Sequence, residues 1–159
     1  MAKAGIQAPD FTLPDVTGTT RPLHEWLQQG PVLIAFFKIS CPTCQYTFPF
    51  LQRLAGSSVR VVGISQDVRK KTEGFNREYG IRFPVLLDSE DENYPVSNAY
   101  GITHVPSLFL IEPDRRITLT SVGFAKKDLE EIAQRFGVVE LFHRDERIEA
   151  FRAGRGSKN

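Results

Sequence analysis

Residues 31–51 read Pro31-Val-Leu-Ile-Ala-Phe-Phe-Lys38-Ile-Ser-Cys41-Pro42-Thr43-Cys44-Gln-Tyr-Thr-Phe-Pro-Phe-Leu51. Residues 32–37 are continuously apolar, which predicts a central strand buried on both faces. A short turn follows Lys38, then a Cys-x-x-Cys pair, then a helical pattern expected to run from about Pro42 to Leu54 and stop at Gly56. Cys41 and Cys44 are the two cysteines of the chain. Their spacing lets the thiols meet within one helical turn, close enough for a disulfide. A helix N-terminus presents unpaired N–H groups and a positive dipole end, both of which favour a thiolate at Cys41. Pro42 suits the first helical turn, where a backbone N–H has no partner in any case. Pro49 lies inside the expected helix and should kink it.

Three chemistries fit a bare Cys-x-x-Cys. Half of a zinc site is disfavoured, because a closed site wants four ligands and no second pair exists. A structural disulfide closing so short a loop would constrain the unfolded chain little. A redox dithiol fits best, because the pair stands between a strand and a helix.

With 159 residues, 41% hydrophobic and 25% charged, the chain has the size and composition of one globular domain. A net charge of +1 gives no global pull toward nucleic acid or an anionic membrane. No apolar run approaches the roughly 20 residues that span a bilayer. Met1–Pro9 has no leader-like apolar core, so the expected location is cytoplasmic, or periplasmic or exported if a longer native chain carries a signal. In a cytoplasm the pair would be kept reduced between turnovers.

Residues 8–22 read as two short strands about a turn at Asp15–Gly18, and Leu23–Gln29 as a short helix stopped by Gly30, with Trp26 packing inward. Val59–Ser65 is a second buried strand, followed by a polar helix to Tyr79 with Gly80 at its end. Phe83–Asp88 is a third short strand, Ser107–Ile111 an apolar one. Glu112–Arg116 is a hairpin turn and Ile117–Val122 the next strand. Asp128–Phe136 forms an amphipathic helix with Leu129, Ile132, Ala133 and Phe136 inward. In the tail, Leu141, Ile148 and Phe151 are placed to line one face of a helix. The expected organisation is therefore a domain over 1–137, a helical extension over 138–152 packed on it or used as a dimer or partner contact, and a disordered 153–159.

Several of these stretches together resemble the thioredoxin-like superfamily. The strand–Cys41-Pro42-Thr43-Cys44–helix unit is similar to its active site. Ala8-Pro9-Asp10-Phe11-Thr12-Leu13 with Gly18, and Val62-Gly-Ile-Ser-Gln-Asp67 followed by Tyr79-Gly-Ile-Arg-Phe-Pro-Val-Leu-Leu-Asp88, resemble the redoxins. These include peroxiredoxins (the alkyl hydroperoxide reductase/thiol-specific antioxidant group) and TlpA/ResA-type oxidoreductases. The resemblance covers residues 8 to about 137. It implies an α/β thioredoxin-like fold, a central mixed sheet flanked by helices with an N-terminal β-hairpin, and a cis peptide before Pro106 in a loop facing the dithiol. It also implies a site made of Cys41 as an exposed attacking thiolate and Cys44 as the resolving thiol. Pro42, Thr43, Val105 and Pro106 would support them, with the backbone beside Pro106 pairing with an extended substrate.

The departures from the family pattern are specific. The strand position six before Cys41, often a buried carboxylate, is Ala35. The position three after Cys44, often glutamate in TlpA/ResA-type proteins, is Thr47, and the residue before Cys41, often tryptophan, is Ser40. Lys38 stands where its charge would lower the Cys41 pKa, and His104 where it would carry a proton to the dithiol if it points inward. A Cys41–Cys44–His104 metal site lacks a further ligand. The expected function is a thiol–disulfide oxidoreductase, without cofactor or metal, acting on protein disulfides. It would use a thiol donor of the thioredoxin or glutathione type, as a monomer or weak homodimer, with no nucleic-acid or membrane partner. A thiol peroxidase with Cys41 peroxidatic and Cys44 resolving is the alternative. Against it, the proline and hydroxyl that peroxiredoxins place before the reactive cysteine are here Ile34 and Lys38. A non-enzymatic metal- or partner-binding module is the third. With no cation between the cysteines, a reductant or midrange couple is expected.

Overall fold

The computed structural model describes residues 1–158. The chain opens on an antiparallel hairpin of β1 (Thr12–Pro14) and β2 (Thr20–Pro22). The Asp15 carboxylate ties its turn by accepting from the Thr17 and Thr19 amides at 2.8 and 3.0 Å. A helical turn, α1 (Leu23–Trp26), continues as a 3-10 turn to Gln29. Gly30 ends it at φ 126°, a conformation that a side chain would oppose.

The body is a five-stranded mixed sheet. Its centre is β3 (Val32–Phe37), every residue of which is fully buried. After α2 (Pro42–Leu54) the chain returns as β4 (Arg60–Ser65), parallel to β3, and after α3 (Arg69–Tyr79) as β5 (Val85–Leu87), parallel to β4. A short helix not anticipated from the sequence, α4 (Pro95–Ala99), starts where the buried Asp88 carboxylate accepts from the Val96 and Ser97 amides at 3.0 and 2.6 Å. Then come β6 (His104–Val105), the cis Val105–Pro106 peptide, and β7 (Ser107–Ile111), antiparallel to β3. A turn closed by the Glu112 and Arg116 backbones leads to β8 (Ile117–Val122) at the sheet edge. The order is β5-β4-β3-β7-β8. Continuous apolar runs form the interior strands because both faces are covered. Phe37 packs on Phe48 of α2 and Phe75 of α3, with ring centres 4.2 and 4.9 Å away. Pro49 lies inside α2, which continues through it to Leu54.

Beyond the sheet lie a two-residue strand, β9 (Phe124–Ala125), and α5 (Lys126–Arg135), whose Leu129, Ile132 and Ala133 are buried. The tail then departs from expectation. Residues 138–152 form no helix; Glu140 sits at φ 58°, which interrupts helical geometry. The tail runs back along α2 and pairs twice as short strands. These are β10 (Phe151–Arg152) on β9 and β11 (Arg155–Gly156) on β6, both antiparallel. The physical reason is the demand of those two edges. Their backbone N–H and C=O groups need partners, which an extended chain supplies and a helix, its own groups already paired, does not. The expectation of disorder over 153–158 is corrected on the same ground; Asn159 lies outside the described residues.

Candidate redox site

Cys41 ends the turn after β3 and is the N-cap residue of α2. Its Sγ accepts the Cys44 amide at 3.0 Å, the place a serine or aspartate oxygen usually takes at a helix start. The same sulfur lies 3.5 Å from the Val105 carbonyl, to which its thiol form donates. Hydrogen bonding from the Cys44 side chain, then from the Cys44 and Thr43 amides, with the Lys38 charge adding to them, lowers the Cys41 thiol to about 7 against the upward push of burial. Cys44 goes the other way. Burial first, then the hydrogen bond and negative charge of Cys41, raise it well above the ordinary thiol range. Of the two thiols Cys41 therefore ionises first, and above about pH 7 the thiolate form of the pair has its charge on Cys41 and its proton on Cys44. Both sulfurs are free thiols.

The loop before Cys41 is held from three sides. The Ile39 amide donates to the Asp67 carboxylate at 2.8 Å, the Gln45 amide group donates to the Ile39 carbonyl at 2.8 Å, and the Cys41 amide donates to the Lys38 carbonyl at 3.3 Å. Asp67 and Gln45 were not singled out from the sequence. An Asp just after a buried strand, level with the dithiol turn, was the available signal. Thr47 is buried and returns its hydroxyl to the Thr43 carbonyl at 2.7 Å, so its own polar atom is paired behind the cysteines.

The structure brings Cys41, Pro42, Thr43, Cys44, Val105 and Pro106 into one seam, with Lys38 beside it. It does not bring in His104, which is exposed and whose ring bonds the neighbouring Thr103 hydroxyl at 3.1 Å. The residue alternates outward along β6 while Val105 faces in. Among the described residues no group of three metal-ligating side chains comes together. No described helix is long and apolar enough to cross a membrane. One expectation is overturned at the centre of the site: Cys41 is not exposed but fully buried. The tail lies over it. Thr43, between the two cysteines, donates its hydroxyl to the Ala153 carbonyl at 2.6 Å, and β11 lies on the segment that faces Cys41.

With that geometry in place, known proteins give it a context. The AhpC/TSA family model matches residues 4–120. The chain belongs to the AhpC/TSA family. It is similar to the thiol-disulfide oxidoreductase ResA of Geobacillus thermodenitrificans, 28% identical over 134 residues, which covers 80% of this chain and 74% of the relative. Its structure is similar to a putative thiol:disulfide interchange protein DsbE from Chlorobium tepidum (TM-score 0.73, 26% identity, 85% and 96% of the two chains). It is also similar to the peroxidoxin BcpB from Mycobacterium tuberculosis (TM-score 0.69, 25% identity, 85% and 94%). The family match ends at residue 120, so the tail that covers Cys41 lies outside it.

Proposed function

We propose that Cys41 and Cys44 are the redox centre of this thiol–disulfide oxidoreductase, and that its substrates are protein disulfides. One observation carries the assignment of roles: the Cys41 sulfur is the N-cap of α2, lowered to about 7, while Cys44, one turn on, is buried and raised. The Cys41 thiolate attacks a substrate sulfur. The Cys41–substrate S–S bond forms as the substrate's own S–S bond breaks, and the departing thiolate takes the negative charge. Cys41 has then lost the charge and the acceptor that held Cys44 protonated. The Cys44 proton passes to the departing thiolate, and Cys44 attacks Cys41. The Cys41–Cys44 disulfide forms as the Cys41–substrate S–S bond breaks, the second substrate sulfur leaves as a thiolate that takes a proton from solvent, and the substrate is reduced by two electrons. A thiol donor of the thioredoxin or glutathione type restores the pair by the reverse exchange. All these groups come from one chain, so a monomer suffices. A cytoplasmic setting fits a pair that must be returned to the thiol state.

A peroxidase reading draws support from the family match and the peroxidoxin neighbour. In that case Cys41 would displace water from a peroxide and become a sulfenic acid, which Cys44 would resolve. Lys38 and Ile34 offer no hydroxyl or ring for the peroxide at the positions peroxiredoxins use. Insulin reduction and peroxide consumption by the reduced protein, with a regenerating system, separate the two. Insulin reduction that Cys41→Ser abolishes, with slow peroxide loss, is expected; fast peroxide turnover dependent on Cys41 would replace the first reading with the second. A redox titration should place the couple nearer thioredoxin's roughly −270 mV than DsbA's roughly −120 mV, because the thiolate is stabilised only to a thioredoxin-like degree.

A further inference from the structure

We propose that residues 151–158 are a tethered pseudosubstrate. They cross the dithiol between two short strand pairings, Phe151–Arg152 on β9 and Arg155–Gly156 on β6, and a protein disulfide reaches Cys41 only by exchanging places with them. The inference rests on the oxidoreductase reading above for the nature of the substrate, and on the geometry of the tail for the gate itself.

The strand occupies the edge that an incoming peptide would use. Arg155 pairs with Val105 and Gly156 with His104. The Ser157 amide continues the ladder to the Thr103 carbonyl at 3.0 Å, and the Ser157 hydroxyl donates to the Ile102 carbonyl at 3.1 Å. At the far end the Lys158 amide donates to the side-chain oxygen of Gln66 at 2.8 Å. At the near end the Ala153 carbonyl takes the Thr43 hydroxyl. The tail thus bridges the cysteine turn and the Pro106 loop, and Cys41 beneath it has no exposed surface.

The closeness of the fit is written into two glycines on separate elements. A Cβ on Gly154 would stand 2.7 Å from the Val105 carbonyl oxygen, the atom that Cys41 contacts from below. A Cβ on Gly123, at φ +77°, would stand 2.6 Å from the Arg152 carbonyl oxygen. Both distances are too short for real side chains, so the strap passes only because neither position carries one. The partner this edge accepts is accordingly an extended protein segment with no side-chain bulk where it crosses the Val105 carbonyl.

The strap is also built to leave. It adds little apolar burial, and its Phe151 is 59% exposed. It is held mainly by backbone hydrogen bonds at its edges, which places it at the low end of local stability. Because it is tethered, its effective concentration at the site is on the order of millimolar. A free segment must engage several of the same contacts to displace it, and a weak or ill-shaped disulfide leaves the thiolate covered.

The test is the second-order rate of Cys41 alkylation by iodoacetamide at fixed pH in a Cys44→Ser background, which leaves one thiol. It is run on the full chain, on full-length Gly154→Val, and on a chain ending at Ala150, each checked for folding by circular dichroism. Both altered chains should react at least about ten-fold faster than the full chain. A synthetic peptide of residues 149–158 at millimolar concentration should slow the shortened chain again. Folded variants that react within about two-fold of the full chain would overturn the gate, and a peptide without effect would overturn strand exchange as its mode of closure. Insulin reduction by the same chains with Cys44 restored is read separately. Faster alkylation without insulin reduction in any chain leaves the gate standing and removes the oxidoreductase reading. Equal insulin reduction with unchanged alkylation does the reverse.

Discussion

The sheet body and the C-terminal strap are stabilised by different forces. The body holds together by apolar burial: β3 is fully buried along its length, and Phe37, Phe48 and Phe75 stack around it. Taken with the segment that leads into it, from residue 138 on, the strap has one buried apolar anchor, Leu141, while Val139 is 85% exposed. Val138, Phe142 and Ile148 pack partly buried against the core, and the strap's other attachments are directional. Arg53 of α2 grips the Leu141 carbonyl at 2.7 Å and the Glu146 carboxylate with both guanidinium nitrogens at 2.8 and 2.6 Å. Phe142 meets Phe50 edge-on at 5.0 Å, and Arg152 lies over the Tyr46 ring. Apolar burial is cooperative with the whole core, whereas a hydrogen-bonded edge strand opens without disturbing it. The thiol pair sits at the boundary: its chemistry is set by the rigid body, and its access by the strap.

The largest effect that tests this division is a matched pair of phenylalanines. Phe48→Ala in the body removes a fully buried ring and should cost about 3–5 kcal/mol of unfolding free energy. Phe151→Ala in the strap should cost about 0.5 kcal/mol or less. Urea unfolding of the two variants checks this. Comparable losses would mean that the strap is part of the cooperative core, and the division would fail.

The same division explains what was legible in the sequence. Val32–Phe37, Val59–Ser65 and Ser107–Ile111 announce themselves as strands because a two-sided buried strand must be apolar at every position. Cys41 and Cys44 are legible because the strand–turn–helix context fixes what two thiols can do. The strap was not legible. Leu141, Ile148 and Phe151 have a helical spacing, but nothing local reveals that β6 and β9, which pair Arg155 with Val105 and Phe151 with Ala125, present unpaired edges far back in the chain. Tertiary demand for backbone partners overrode periodicity there. Asp88 and Asp67 were missed for a related reason. A carboxylate that caps a helix or pins a loop looks, in sequence, like any surface acid. Cys41's burial followed from the strap and could not be read without it.

An intermediate effect concerns pH. Cys41 has a folded pKa of about 7 against an ordinary 9.0. An acid lowered on folding adds stability that is complete above its unfolded value and is lost as pH falls through its folded value. The reduced protein should therefore gain about 2 kcal/mol between pH 6 and 8.5 that Cys41→Ser does not gain. Cys44, raised on folding, reverses the trend above about pH 9, where the unfolded thiol ionises and the folded one does not. Urea unfolding of the reduced protein across this range measures both limbs. The groups that lower Cys41 belong to α2 and the end of β3, so the shortened chain ending at Ala150 should keep a thiol near 7. Its pH–alkylation profile should rise in amplitude without moving upward in midpoint. A midpoint displaced toward 9 would show that the strap, and not the body, sets the chemistry.

The smallest effect distinguishes one opening unit from two. Glu146 is lowered to about 2, first by Arg53 and then by the His143 amide it accepts at 2.7 Å. Its contribution is complete above the ordinary carboxyl value of 4.5 and disappears only as pH falls toward 2. The anchor is thus constant across neutral pH and is not a pH switch there. Glu146→Gln removes the ionic grip while keeping an oxygen for the His143 amide. Amide hydrogen exchange then reads two reporters at the ends of the strap: Lys126, which donates to the Ala150 carbonyl at 3.0 Å, and Ser157, which donates to the Thr103 carbonyl at 3.0 Å. If the strap opens as one piece from its Arg53 anchor, both amides exchange a few-fold faster in the variant. If only Lys126 responds, the segment over Cys41 is held by its own pairing with β6, and the gate is confined to residues 153–158. If neither responds, the Arg53–Glu146 pair is a surface contact that contributes nothing measurable, as many such pairs do, and the strap's closure rests on the two glycines and the strand pairing alone.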